Sequence, residues 1–228
     1  MYFTSDLHFG HPFVAALRGY GKTDDTPDEL RERSRQGDDI RKYVDWQQHD
    51  DDIVRNFNEV LTIEDELYIL GDLSSGGKSS LQQALEMVNR FKVPRKRRHL
   101  ILGNHDPLNG SSKNRLKDIM DCFASVSRNE VIVLDGRNVG LSHFQFRHHM
   151  DGGHTEGMST NGRSEKYSKY AMMDDGSLLL LHGHTHAKTP FEFDNPREMN
   201  VGVDAWDMRP VSEGTVMERL IRPNPLSK

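Results

Sequence analysis

Short apolar runs and long polar stretches alternate along this chain, and the runs repeatedly end in Asp, His or Asn. Residues 1–5 read as a short buried strand that leads straight into Asp6 and His8. Residues 11–18 suit a short helix, and residues 27–35 a second one, with Thr26 as N-cap and Pro27 at its first position. Ile53, Phe57, Val60 and Leu61 recur at helical spacing and predict an amphipathic helix. Residues 67–70 form an apolar strand that stops at Gly71-Asp72, and residues 79–91 read as a helix. Residues 100–102 are a strand that ends in Gly103-Asn104-His105-Asp106. Residues 131–134 and 139–141 predict a hairpin around Asp135-Gly136, and its second strand runs into Ser142-His143. Residues 178–181 are a strand that ends in His182-Gly183-His184-Thr185-His186, and residues 201–203 a last core strand before Asp204 and Trp206. No repeat or low-complexity tract interrupts this order.

The 228 residues suffice for one domain with a sizeable core, spanning 1–228. A polar insert is expected around 19–52, outside the core, and a long loop around 144–176. The net charge of -5 argues against a dedicated duplex-DNA binder, though it leaves a nucleotide or a single-strand end open as substrate. The single Cys122 has no internal partner and suits a buried thiol in a reducing compartment. The N-terminus lacks the basic and apolar regions of a signal peptide, and no apolar run approaches the roughly 20 residues that span a bilayer. A soluble, cytoplasmic protein without a membrane partner is expected. Nothing in the sequence bears on oligomeric state.

The five strand-end clusters carry the chemistry. Ligand sites in sheet proteins gather outside strand ends, where loops hang side chains on a rigid base. One such junction is common, whereas five in a chain of this length are not. Their carboxylates, imidazoles and one carboxamide suit Mn, Fe, Zn or Ni better than an all-oxygen Ca or Mg site. Asp6-x-His8 and His184-x-His186 place side chains two residues apart, which in an extended segment turns both to one side. Asp72, alone after a strand and a glycine, can bridge two cations. Two cations roughly 3.5–4 Å apart can activate a bridging water and hold phosphate oxygens.

Asp6-Leu7-His8, Gly71-Asp72, Gly103-Asn104-His105-Asp106, His143 and Gly183-His184-Thr185-His186 together resemble the signature of the calcineurin-like metallophosphoesterase superfamily, in its order. The opening Tyr2-Phe3-Thr4-Ser5-Asp6-Leu7-His8-Phe9-Gly10-His11 and the late Asn200-Val201-Gly202-Val203-Asp204-Ala205-Trp206 are similar to small phage and bacterial members, which would place a phage-encoded protein in the host cytoplasm. The resemblance implies an α/β (α+β) fold, a four-layer αββα sandwich of two mixed β-sheets. It also implies two divalent transition-metal ions, manganese first, with Fe, Zn or Ni as alternatives. Asp6, His8 and His186 would hold one ion, Asn104, His143 and His184 the other, and Asp72 would bridge. His105 would be the general acid. In the phosphoprotein phosphatase branch an Asp and an Arg follow the second block and the third ends in Glu. Here Leu73-Ser74-Ser75-Gly76 and Asp106 stand there, so the carboxylate that would orient the catalytic His is missing at Ser75.

Other residues have ordinary readings beside functional ones. His11 can reach the site or sit at a helix start. His182 is expected beside the cluster without binding metal. Asp204 and Trp206 either line the site or close a sheet. Arg147, His148, His149, Arg163, Lys166, Tyr167 and Tyr170 suit phosphate oxygens and base stacking, while His154 and the rest of their loop equally suit solvent. The leading expectation is a phosphodiesterase for small substrates, nucleotides foremost and including 2′,3′-cyclic ones. A phosphomonoesterase or a nuclease of the same superfamily is the alternative, and a non-catalytic metal-binding scaffold is a third class, disfavoured by the presence of His105.

Overall fold

The computed structural model describes residues 1–108, 113–150, 163–193 and 195–222, apart from the side chains of 163–165. Two mixed sheets carry the fold. The first comprises β1 (Tyr2–Thr4), β2 (Leu67–Ile69), β3 (Arg98–Ile101), β4 (Ser125–Ser127) and β9 (Val211–Ser212) in the order β4-β3-β2-β1-β9. β1 to β4 run parallel and β9 antiparallel to β1. The second, in chain order, comprises β5 (Asn129–Leu134), β6 (Arg137–Ser142), β7 (Leu179–His182) and β8 (Glu198–Asn200). The β5–β6 hairpin turns at Asp135 and Gly136, whose φ of 49° and 73° match the positive values a two-residue hairpin turn requires.

Side-chain alternation separates two cores. Phe3, Tyr68, Leu70 and Ile101 meet Val139, Leu141, Leu179 and Leu181 between the sheets. Leu67, Ile69 and Leu100 point the opposite way, onto Ile53 and Phe57 of α3 (Trp46–Val60) and Leu81 and Leu85 of α4 (Lys78–Val88). A strand buried on both faces reads as a continuous apolar run, as residues 67–70 do. Phe57 stacks on Phe91 with ring centres 5.0 Å apart. Burying each such side chain stabilises the fold by about 1.5–3 kcal/mol.

The stretch at 19–52 departs from the sequence expectation. Leu30 of α2 (Pro27–Arg35), Ile40 and Val44 are buried, and Leu30 and Val44 form a small core of their own with Ala15 of α1 (Pro12–Leu17). Charged residues around three apolar anchors concealed this core. Thr26 caps α2 as predicted, in a reciprocal capping box with Glu29. The last core strand also lies earlier than expected, at Glu198–Asn200. Its chain bends at Gly202, so that Val201 N bonds His182 O in the second sheet while Val203 N bonds Ser5 O beside the first. The strands β4 and β9 and the helix α5 (Lys113–Met120) are additions of the structure. Cys122 is half-buried at the edge of the helix-covered core, not inside it. Among the described residues no helix is long and apolar enough to cross a membrane.

Candidate metal centre

Three of the five strands that lead into candidate ligands, β1, β2 and β7, turn sharply as they end. Asp6, His8, Asp72, His184 and His186 have φ of 58°, 48°, 55°, 74° and 56°, all in the left-handed region. Asp and His enter that region more readily than most residues, but each such residue still carries a conformational cost. The pairs Asp6/His8 and His184/His186 therefore converge through tight turns, not through the extended segment expected from their spacing. Two glycines permit the close approach. A Cβ on Gly103 would lie 2.3 Å from Asp72 Oδ1, and one on Gly183 would lie 2.3 Å from Asp6 Oδ2.

The turns gather all seven ligand-type residues. His8 Nε2 lies 3.1 Å from His186 Nε2 and 3.9 Å from Asp6 Oδ1, which is itself 3.8 Å from His186 Nε2. On the other side His143 Nε2 lies 2.9 Å from Asn104 Oδ1 and 3.2 Å from His184 Nδ1. Asp72 Oδ2 stands between the groups, 3.7 Å from His8 Nε2 and 3.4 Å from His143 Nε2. Asp6, His8 and His186 form one group able to hold an ion, and Asp6, Asp72 and His143 another. Asp6 Oδ1 is buried and has no hydrogen-bond partner among the described residues. Two imidazole nitrogens each about 2.0–2.1 Å from a shared ion, at right to tetrahedral angles, fall about 2.8–3.4 Å apart. Both imidazole pairs meet that spacing, so the donor set fits divalent metal.

The groups behind the ligands fix which nitrogen faces inward. His186 Nδ1 donates to Asp204 Oδ2 at 2.9 Å, and His143 Nδ1 donates to Leu70 O at 2.8 Å, leaving both Nε2 atoms as acceptors toward the cluster. The side chain of Arg18, 5% exposed, lies behind this turn. It clasps Asp204 with Nε and Nη2, donates to Asp6 O and Leu7 O, and donates from Nη1 to His49 Nε2. His49 Nδ1 then donates to Asp50 Oδ1, and Asp50 Oδ2 accepts from Gly10 N. A continuous polar chain thus runs from Asp50 to His186. Sequence reasoning missed Arg18, His49 and Asp50, and left Asp204 open. Asp106 finds its place too: its carboxylate accepts from Gly103 N and Asp72 N, at 2.9 and 2.8 Å, and holds two ligand-bearing turns together.

Burial shapes the protonation of the cluster. It pushes His8 and His184 well below the ordinary imidazole value, with neighbouring imidazoles adding to the effect, so both stay neutral as ligation requires. Burial also acts to lower His186, but Asp204 and Asp6 outweigh it and raise the group. Burial acts to raise Asp204, yet Arg18 and His186 hold it far below the usual carboxylate range. Burial raises Asp72 to about 6.

His105 is different in kind. Its Nδ1 lies 3.2 Å from Ser75 O, and since a carbonyl only accepts, Nδ1 carries the proton. Nε2 then faces the cluster, 4.0 Å from Asp72 Oδ2, on a side chain that is 38% exposed. The orienting carboxylate absent from the sequence at Ser75 is replaced by that residue's backbone. Beside His105 opens a cleft of about 280 Å³, lined by Asn104, Arg115 and Tyr167 among others.

Residues 1–200 match the calcineurin-like phosphoesterases. The chain belongs to the calcineurin-like phosphoesterase family. Within it, the chain is 34% identical over 225 residues to the Gene 66 protein of Mycobacterium phage D29, covering 93% of this chain and 92% of that one. Its identity to the Gene 66 protein of Mycobacterium phage L5 is 29% over 216 residues, covering 90% and 86%. Among solved structures, AQ665 from Aquifex aeolicus, described as a protein of unknown function, superposes with a TM-score of 0.58 at 21% identity, over 95% of this chain and 96% of that one. That likeness shows a shared fold.

The remaining sequence candidates divide. His11 joins the phosphoesterase site, its ring 5.4 Å from His8 and 6.4 Å from His105. Tyr167 lines the cleft and stacks on Phe144 at 5.7 Å, while Lys166 is exposed, with Nζ 5.1 Å from the centre of the Tyr167 ring. Arg147 does not face the site with a free guanidinium. It donates to the carbonyls of Ser168, Lys169 and Ala171 and staples its own loop. His149 is also committed elsewhere, its Nδ1 2.6 Å from Glu198 Oε1 and its ring stacked on Phe193, and His148 packs against Phe146 and His149. An Arg or His in a polar loop looks the same in sequence whether it meets a phosphate or a carbonyl. His182 is buried and bonds Gly183 O, and Trp206 Nε1 donates to Asn200 O. His154 and the side chain of Arg163 lie outside the described residues.

Proposed function

We propose that this phosphoesterase hydrolyses phosphodiesters of small nucleotide type, including 2′,3′-cyclic nucleotides, with two divalent transition-metal ions, manganese foremost. The position of Asp72 carries this reading: one carboxylate oxygen lies within 3.7 Å of His8 and 3.4 Å of His143, where it would serve both ligand groups. Bound there, two divalent ions would supply Lewis-acid charge and a water of lowered pKa. Asp6, His8 and His186 would hold one ion, and Asn104, His143 and His184 the other. His105 Nε2 faces the same space and would hold the proton that the departing oxygen needs. In the net reaction one P–O bond forms to water, one breaks to the leaving alcohol, that alcohol oxygen takes the proton His105 held, and a proton given up by the water returns to His105, so that the group is restored.

A diester carries one negative charge, which suits a centre with few arginines. The strain of a five-membered cyclic diester lowers the demand on the catalyst further. A net charge of -5 favours a compact diffusible substrate over duplex DNA, and a cytoplasmic site of action, the host's where a phage encodes the chain. The test is a panel under matched Mn²⁺: bis-nitrophenyl phosphate, nitrophenyl phosphate, 2′,3′-cyclic AMP, 3′,5′-cyclic AMP and a phosphopeptide. Diesters should turn over fastest. Faster cleavage of the monoester or the phosphopeptide would make the protein a phosphomonoesterase.

A further inference from the structure

Two consecutive carbonyls hold two side chains of cationic type at the edge of the metal cluster. Ser75 O faces His105 Nδ1, and Gly76 O accepts from Arg115 Nη1. Gly76 has φ of 91°, and a Cβ there would lie 2.8 Å from His105 O, so this turn packs directly on the His105 backbone. Arg115 comes from α5, outside every signature block. Its one hydrogen bond among the described residues is to Gly76, and no carboxylate there pairs with it. Among the described residues its other guanidinium N–H groups have no acceptor, which leaves them for a ligand. Together with Ser75, Asn104, His105, Leu108 and Tyr167 it lines the cleft of about 280 Å³.

The cleft extends on the His105 side of the cluster. Of the seven ligand-type residues, Asn104 alone lines it. If His105 protonates the departing oxygen, the group attached to that oxygen points into the cleft. A guanidinium without a counter-ion among the described residues calls for an anion at that place, and its planar fork matches phosphate. Tyr167, braced against Phe144, adds an aromatic face beside it. We propose that this cleft is a subsite for a second phosphate, carried by the leaving group of the diester, and that Arg115 is its specificity-determining residue. The inference rests on the phosphodiesterase reading above and gives it a preference: among diesters, those whose departing nucleoside bears a phosphate rank first.

The experiment compares two dinucleotides that differ only in a terminal phosphate on the departing nucleoside, with bis-nitrophenyl phosphate as a third substrate, for wild type, Arg115→Ala and Arg115→Lys loaded with Mn²⁺. Wild type should prefer the phosphorylated dinucleotide. Arg115→Ala should lose about 10–100-fold in kcat/KM on that substrate, mostly through KM, as expected for removing a charge-assisted contact that binds substrate and transition state alike. The other two substrates should change less than about threefold, which separates this loss from a general one. Arg115→Lys should recover part of the preference, and metal content by elemental analysis should match wild type in both variants. Equal losses on all three substrates, or lost metal, would reduce Arg115 to a brace for the Gly76 turn and overturn the proposal. Wild-type turnover without preference would overturn it while leaving the phosphodiesterase reading intact. Absence of turnover of every ester by wild type would overturn both.

Discussion

Around Asp6, His8 and His186 the supporting groups are charged and linked in series: Asp204, Arg18, His49 and Asp50 form one buried chain behind them. Around His143 and His105 the support is mostly main chain: Leu70 O, Ser75 O, and the N–H groups gathered by Asp106. A carboxylate behind an imidazole raises its basicity and strengthens its hold on a cation more than a neutral carbonyl does. The two halves should therefore differ in affinity, the Asp6–His8–His186 half binding metal more tightly. On the proposed mechanism, catalytic chemistry would fall to the looser half, where His105 and the open cleft are found.

The most severe way to break this comparison is to remove what the halves share. Asp72→Ala should abolish activity and the coupling between the two ions, measured as metal stoichiometry and turnover after Mn²⁺ loading. Full activity in that variant would end the two-ion reading. Next comes His105→Ala, which should leave metal content unchanged and lower the rate on an alkyl diester by about 10²–10⁴-fold. A nitrophenyl ester should suffer much less, because nitrophenolate leaves without a proton. Equal losses would exclude the acid role. Asp204→Asn sharpens the asymmetry itself. It should weaken one ion by about 10–100-fold in a competition titration with a chelator and leave the other nearly unchanged. Uniform weakening of both would show that the halves do not differ as argued. The smallest effect is expected from Asp106→Ala, which removes the acceptor of three buried N–H groups, those of Asp72, Leu73 and Gly103, at a cost of about 1–3 kcal/mol for each left unpaired. It should lower the melting temperature of the metal-free protein, with activity regained when metal is added at saturating concentration.

The seven ligand-type residues and His105 were legible because their types recur in a fixed order after apolar strands, and the order of elements was legible from the same runs. The support behind them was not. Arg18 and Asp204 stand 186 residues apart and meet only because α1 and the turn after β8 flank the same strand end. Arg115 sits in a helix whose sequence, Lys113-Asn114-Arg115-Leu116-Lys117, resembles any solvated helix face. Arg147 shows the converse: its place in a basic loop beside His143 suggested a substrate contact, but three carbonyls occupy it. The small core of Leu30 and Val44 escaped notice because three apolar anchors in a charged stretch make no periodic signal. Pattern reveals what is repeated locally, and long-range pairs repeat nothing.

The left-handed backbone at five candidate ligand positions implies a tension between durability and use. Each such residue costs on the order of 1–3 kcal/mol when nothing offsets it. In the native enzyme, cation binding would be the offset. Glycine at His8 or at His186 would forfeit a ligand but relax the turn, so such an inactive variant could outlast the metal-free parent under heat. Selection for thermal robustness alone would then drift toward catalytic death, and a library screened for stability should be screened for turnover in the same round.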